Sequence, residues 1–327
     1  MNFQIEFRGT GSYLPEKVIS NFDLAKRFKI KESDIVKKTG ISERRWASKK
    51  EAVSDLATCA SVKALSRAGI DPSELDLIIL SSTFPDRLFP SSACLLQMNL
   101  KTRKIPAFDI QASCSGFLYG LSIAEHFLRQ TAFQNVLVAA SEIKSRMLDP
   151  DDSATSILFG DGAGAVILSK TRKKHGILSL HLHSDGSKHD YIMLPGGGSR
   201  IPASKKSCEE GLHWIKMKGP SVFRSAVHYF GKAIQEALDI NKIEIGQIAH
   251  FIFHQANLRL LERIIEKYKI PKEKVELTIH KYGNTSSASL PITFDHAVSN
   301  KKFKRGDLVM FASFGGGITW ASLIYKW

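Results

Sequence analysis

The chain has 327 residues, 43% hydrophobic and 24% charged, and its 46 Lys and Arg against 32 Asp and Glu give a formal charge of +14. Such a chain is too apolar to be disordered and is long enough for two domains, or one large fold of two halves. The longest charge-free stretches, such as Phe311 to Tyr325, fall short of the roughly 20 apolar residues of a membrane helix, and the opening Met1 to Glu6 has no apolar run behind a basic cluster, so a cytoplasmic protein off the membrane is expected. The basic residues form short scattered clusters such as Lys37-Lys38 and Arg172-Lys173-Lys174. No helix-turn-helix, zinc finger or RNP-type strand stands beside them, so nucleic acid is not expected, and a solubilising surface or an acidic partner protein stays open. Cys59, Cys94, Cys114 and Cys208 include no C-x-x-C pair, so no metal site is expected and most should be small buried hydrophobes.

In chain order, Val53 to Ala68 carries Val53, Leu56, Ala57, Ala60, Ala64 and Leu65 at helical spacing and ends before Gly69, a fitting C-cap glycine. Leu75 to Ser81 and Ile105 to Ile110 read as strands, Gly116 to Gln130 as a helix with Phe117, Leu121, Ala124 and Leu128 inward, and Val136 to Ser141 as a strand. Lys170 to Gly219, with Gly196-Gly197-Gly198, reads as irregular and as the joint between halves. Val222 to Leu238 and Leu258 to Tyr268 read as helices around the strand Ile248 to His254, and Leu308 to Ser313 as the last buried run. Three segments of the first half have echoes in the second, in the same order: 75–81 with 248–254, 136–141 with 308–313, and Phe159 to Ala165 with Phe314 to Trp320. A duplicated, layered α/β unit follows, divided as 1–170 and 171–327.

Cys114 sits on the turn from strand to helix. Unpaired N–H groups and the macrodipole there favour thiolate, and Ala112, Ser113, Ser115 and Gly116 would let a substrate carbonyl approach the backbone; a core cysteine is the other reading. His254 ends a strand and Asn284 lies in Gly283-Asn284-Thr285-Ser286 at the opening of a helix. Each alone reads as a satisfied polar residue or an N-cap. Together with Cys114 they would supply a nucleophile and two donors for negative charge on a thioester or enolate oxygen.

The ordered set Gly9-Thr10-Gly11-Ser12-Tyr13-Leu14-Pro15, Thr39-Gly40-Ile41-Ser42-Glu43-Arg44, Cys114-Ser115-Gly116-Phe117, Phe159-Gly160-Asp161-Gly162-Ala163-Gly164-Ala165, His254-Gln255-Ala256-Asn257, Gly283-Asn284-Thr285-Ser286 and Phe314-Gly315-Gly316-Gly317 resembles the β-ketoacyl-acyl-carrier-protein synthase III family of condensing enzymes. The resemblance implies a thiolase-like five-layered αβαβα fold of two pseudo-symmetric halves, usually a homodimer. It implies Cys114 as the acyl-carrying nucleophile, His254 and Asn284 as holders of the malonyl thioester carbonyl, and an oxyanion hole of the Cys114 and Gly316 N–H groups. Phe314 would lie near the thiol, and Phe89 would line the acyl tunnel of the partner subunit. Arg224 and Arg259 would form the docking surface for acidic acyl carrier protein, and Lys38, Gly219 and Asn257 would bind substrate. No metal or redox cofactor is implied, since acyl-CoA and acyl carrier protein carry their own phosphopantetheine. The reaction implied is decarboxylative condensation at the start of an acyl chain. A related acyltransferase or specialised condensing enzyme, fed by acyl carrier protein or a non-standard donor, is the alternative.

The chain departs from the family pattern where coenzyme A is gripped. Asp34 and Ser153 stand where members stack adenine between a Trp and an Arg, Lys38 where an Arg is frequent, and Pro220 where an Asn is common. The chemistry is kept and the grip on a nucleotide is weakened.

Overall fold

In the computed structural model, which describes residues 3–327, the apolar runs assemble into two main sheets. The first has the order Gln4–Tyr13, Gly162–Thr171, Asn135–Glu142, Leu77–Ser81, Ala107–Ile110; the second has the order Gly176–Ser184, Thr319–Lys326, Leu308–Gly315, Ile248–Phe253. Position by position the pairings agree. Leu77–Ser81 runs parallel to Asn135–Glu142 as Ile248–Phe253 does to Leu308–Gly315, and the next two pairings are antiparallel in both sheets. The sequence echoes are therefore structural. The third is out of step because the first half inserts residues 143–161 between two strands that the second half joins through residues 316–318.

Helices separate and cover the sheets. Gly116–Gln130 and Ser289–Ser299 lie between them in one apolar core that draws on both halves. Val53–Ala68 and Ser92–Leu100 cover the outer face of the first sheet, and Gly219–Asn241 and Leu258–Lys267 that of the second. This is the five-layered αβαβα arrangement. Strands buried on both faces need no polar alternation, which is why Leu77-Ile78-Ile79-Leu80 is continuously apolar and fully buried. Gly9 and Gly11 let the first strand lie directly on helix Val53–Ala68: a Cβ on either would stand 2.3 Å from the carbonyl oxygen of Ala64 or Ala60.

Two expectations need correction. Within the stretch read as irregular, Gly176–Ser184 is a regular strand at the edge of the second sheet, and helix Gly219–Asn241 begins earlier than its periodicity suggests. Cys59, Cys94 and Cys208 are exposed thiols, because each falls on the outward side of a surface helix. Among the described residues no helix is long and apolar enough to cross a membrane.

Candidate active site

Cys114 lies in the one-turn 3-10 segment Ser113–Ser115 that feeds helix Gly116–Gln130. Ser113 holds φ at 47°, an uncommon value for a residue with a side chain, and turns the chain so that the thiol faces inward. The second half pins this turn: Thr319 Oγ1 donates to the Ala112 carbonyl at 3.0 Å and Ser115 Oγ to that of Thr319 at 3.3 Å. A Cβ on Gly315 would stand 2.6 Å from the Cys114 backbone nitrogen, so only glycine there lets the Gly315-Gly316 backbone run beside the nucleophile.

His254 follows strand Ile248–Phe253, and its own N–H continues the sheet by donating to the Ala312 carbonyl at 3.0 Å. Its ring Nδ1 lies 2.5 Å from Ser289 Oγ, which also accepts the Gln255 N–H at 3.3 Å. In the tautomer in which the Ser289 hydroxyl donates to Nδ1, Nε2–H is the ring's free donor. Burial holds the His254 pKa down to about 3, so the imidazole is neutral at working pH. Asn284 is clamped by the first half: its N–H donates to the Leu158 carbonyl at 2.8 Å, and its carbonyl accepts the Gly160 N–H at 3.1 Å. Its Oδ1 accepts the Ser286 N–H at 2.8 Å, which orients the amide and leaves Nδ2 to donate.

Cys114, His254, Asn284, Phe314 and Gly316 line one cavity of about 1650 Å³. That exceeds the roughly 300–1,000 Å³ of ordinary ligand pockets. Cys114 keeps part of its surface open to this space, and its Sγ lies 3.5 Å from Ser286 Oγ. Burial pushes the thiol above its ordinary pKa, against the pull of the Ser286 contact and the Lys144 charge. Burial therefore works against the thiolate that the helix N-terminus favours, and the two influences oppose each other at this sulfur.

Comparison with known proteins agrees with this geometry. Residues 108–186 match the family described as 3-oxoacyl-[acyl-carrier-protein] synthase III, and residues 238–327 match its C-terminal part. A relative named beta-ketoacyl-[acyl-carrier-protein] synthase III from Caldanaerobacter subterraneus is 44% identical over 98% of this chain and 96% of its own length. One of the same name from Clostridioides difficile is 41% identical over 100% and 99%. The chain belongs to the β-ketoacyl-acyl-carrier-protein synthase III family. The crystal structure of the Aquifex aeolicus 3-oxoacyl-[acyl-carrier-protein] synthase III superposes with a TM-score of 0.91 at 40% identity, covering 99% of this chain and 100% of that one.

Within this synthase III fold, the departures found in the sequence gather at one place. Asp34, Lys38, Ser153, Gly219, Pro220 and Asn257 all line the cavity together with Trp214, a flat aromatic side chain that motif reading missed. Asn257 caps helix Leu258–Lys267, accepting the Arg259 N–H at 2.8 Å, and its Nδ2 reaches the Lys38 carbonyl at 3.2 Å. Arg259 is largely occupied, donating to the Lys37 and Val36 carbonyls and to Glu262, whereas Arg224 is exposed and, among the described residues, its side chain is bonded only to Ser221 Oγ at 3.3 Å. Phe89 does not line this chain's own cavity and is 84% exposed; Leu88, Met193 and Leu194 do line it.

Other motif residues are scaffold. Arg44 is fully buried and ties the Ile19 and Ile157 carbonyls to Asn21 Oδ1, and burial pulls its pKa to about 10. Asp161 accepts the N–H groups of Ala47 and Ser145 at 2.7 and 2.9 Å, and burial raises its pKa to about 6. The residues sequence reasoning did not single out are Ser289, Ser286 and the buried pair Glu142 and Lys144. In Ser-Ser-Ala-Ser and Glu-Ile-Lys nothing local marks them; they matter through residues 34 to 172 positions away.

Proposed function

We propose that this chain catalyses decarboxylative condensation of an acyl group, carried on Cys114, with a malonyl group on acyl carrier protein, so initiating an acyl chain. The observation that carries the reading is the convergence of Cys114, neutral His254 and Asn284 on one deep cavity.

Cys114 sulfur bonds to the donor's thioester carbonyl carbon, the donor C–S bond breaks, and the donor thiol leaves with the proton Cys114 gave up. The malonyl thioester then enters with its carbonyl oxygen against His254 Nε2–H and Asn284 Nδ2–H. Breaking the carbon–carboxylate bond releases CO₂ and leaves an enolate oxygen held by those donors. A neutral imidazole keeps its proton and stabilises by hydrogen bonding; each such donor is typically worth about 3 kcal/mol. The enolate carbon attacks the acyl-Cys114 carbonyl, whose oxyanion meets the Cys114 and Gly316 N–H groups, and collapse frees the β-ketoacyl product and the thiolate. Two half-reactions on one thiol imply ping-pong kinetics.

The rim favours a donor gripped through its pantetheine arm or presented by carrier protein, since Asp34 faces where a nucleotide phosphate would approach. Arg224 suits an acidic carrier at the mouth. A homodimer goes with this reading: strand Ala107–Ile110 is the edge of the first sheet, and Leu88 and Phe89, 85% and 84% exposed, are apolar residues in need of cover. A cytoplasmic setting follows from the need for a reduced Cys114.

The test is intact-protein mass spectrometry after incubation with acetyl and longer acyl groups, each on coenzyme A and on acyl carrier protein. The expected result is one acyl adduct, absent in Cys114→Ala, that malonyl-acyl carrier protein discharges as β-ketoacyl product. An adduct that forms but is never discharged by malonyl-acyl carrier protein would leave only acyl transfer.

A further inference from the structure

The wall of the cavity holds a buried charged group that the condensation above does not use. Lys144 follows strand Asn135–Glu142, is 6% exposed, and lines the cavity with Thr83, Met147 and Cys114. Its ammonium donates to Thr83 Oγ1 and lies 3.4 Å from Oε2 of the fully buried Glu142. Glu142 is well supplied with donors: its Oε2 accepts Thr83 N–H at 3.2 Å and Thr83 Oγ1 at 2.7 Å, and its Oε1 accepts Ser287 Oγ at 2.8 Å. Ser287 neighbours Ser286, which touches the Cys114 sulfur, so the network reaches the nucleophile.

An ammonium has three hydrogens; one has a hydrogen-bond partner in Thr83 Oγ1, and Glu142 balances the charge at 3.4 Å, which leaves donor capacity for the cavity that Lys144 lines. A buried ion pair is a costly wall for a hydrocarbon chain, because a well-packed apolar side chain would serve better there. The charge on Lys144 is already balanced by Glu142. A carboxylate brought to it would leave uncompensated negative charge in a buried site, whereas a neutral oxygen would accept the free hydrogen at no electrostatic cost.

We infer that Lys144 selects the acyl group, donating a hydrogen bond to an uncharged hydroxyl or carbonyl oxygen on the chain carried by Cys114. This inference rests on the acyl-Cys114 reading. A site built to bond a substrate oxygen discriminates strongly against the analogue lacking it, since its own donor is then left unpaired.

The experiment loads the full-length protein with butyryl, 3-hydroxybutyryl, 4-hydroxybutyryl, 3-oxobutyryl and succinyl thioesters of N-acetylcysteamine, small donors that bypass the rim, and follows the Cys114 adducts by intact mass. At least one hydroxy or oxo acyl group should load ten times faster or more than both butyryl and succinyl. Lys144→Met, similar in length but without a donor, should move the preference to butyryl, and Lys144→Gln should keep part of the original preference. Butyryl loading as fast as the oxygenated groups in the unmodified protein overturns the inference without any variant, as does a preference for succinyl. So does a Lys144→Met variant that slows every donor by one factor while shifting the pH at which iodoacetamide labels Cys114, since Lys144 would then act on the thiol alone. Failure of every donor to load overturns the acyl-Cys114 reading as well.

Discussion

The two central helices hold equivalent places in the duplicated halves, and the chain enters them by the same device. Ser113 at φ 47° leads into the turn Ser113–Ser115 and helix Gly116–Gln130; Ser286 at φ 53° leads into the turn Ser286–Ala288 and helix Ser289–Ser299. Cys114 and Ser287 are therefore counterparts. In the first half the device presents a nucleophile to the cavity. In the second it delivers Asn284, the Ser286 contact on the thiol, the Ser287 bond to Glu142 and the Ser289 support of His254. One backbone geometry, duplicated, has come to serve attack on one side and charge stabilisation on the other.

That division can be broken from either side. The largest effect is expected in His254→Ala and Asn284→Ala, each lowering condensation about 10²–10³-fold while acyl-Cys114 still forms, because each removes one donor from the developing enolate oxygen. Product formation by chromatography beside intact mass separates the two steps; loss of the acyl adduct in either variant would contradict the division.

Next comes Gly315→Ala, on the nucleophile's side. A new Cβ 2.6 Å from the Cys114 nitrogen must move the turn, so acyl loading should fall at least about tenfold and stability by about 1–3 kcal/mol. Stopped-flow loading and a urea melt read both.

A smaller effect is expected in Ser289→Ala, where the imidazole survives without the hydrogen bond that fixes its tautomer. Condensation should drop by about tenfold with loading unchanged, since a hydrogen bond that orients a working side chain typically contributes on that scale, and Ser289→Thr should restore most of it. Equal loss in both steps would point to general disruption.

The smallest effect on rate is expected from pH. With its pKa near 3, His254 stays neutral across about pH 5–8, so the condensation rate should show no imidazole titration there. Stability does respond. The unfolded chain protonates this histidine below its ordinary 6.5 and the native state does not until about 3, so its neutral burial costs stability progressively as pH falls through that window. Asp161, raised from 3.8 to about 6, has the opposite sign, its contribution being lost as pH rises through 6. Thermal melts of the protein against His254→Gln from about pH 4 to 7 isolate the first term. The difference should move against the unmodified protein toward acid, and a constant difference would mean that His254 titrates in the native state as it does in the unfolded chain.

Much of this was legible locally. Helices Val53–Ala68 and Gly116–Gln130 have the bounds their periodicity gives, and Gly69 closes the first at φ 62°. The strand Gly176–Ser184 was missed, although Leu178, Leu180 and Leu182 alternate with Ser179, His181 and His183, because flanking lysines and glycines obscure that period-two pattern. Cys114 stood out because a strand, a run of small residues and a helix start are contiguous in the chain. Lys144 did not. Three residues at a strand end, Glu142-Ile143-Lys144, read as ordinary solvated charge, and only packing against Thr83 and Ser287 turns them into a buried wall.

The sequence by itself determined the elements, the duplication and the nucleophile's local setting, since periodicity and helix-start chemistry act over a few residues. Tertiary structure alone decided that His254 is neutral, that Asn284 presents its amide nitrogen, and that Lys144 lines the cavity with Cys114. Those properties depend on how deeply a side chain is buried and on partners contributed by the other half, and neither is set until the two sheets close on their shared pair of helices.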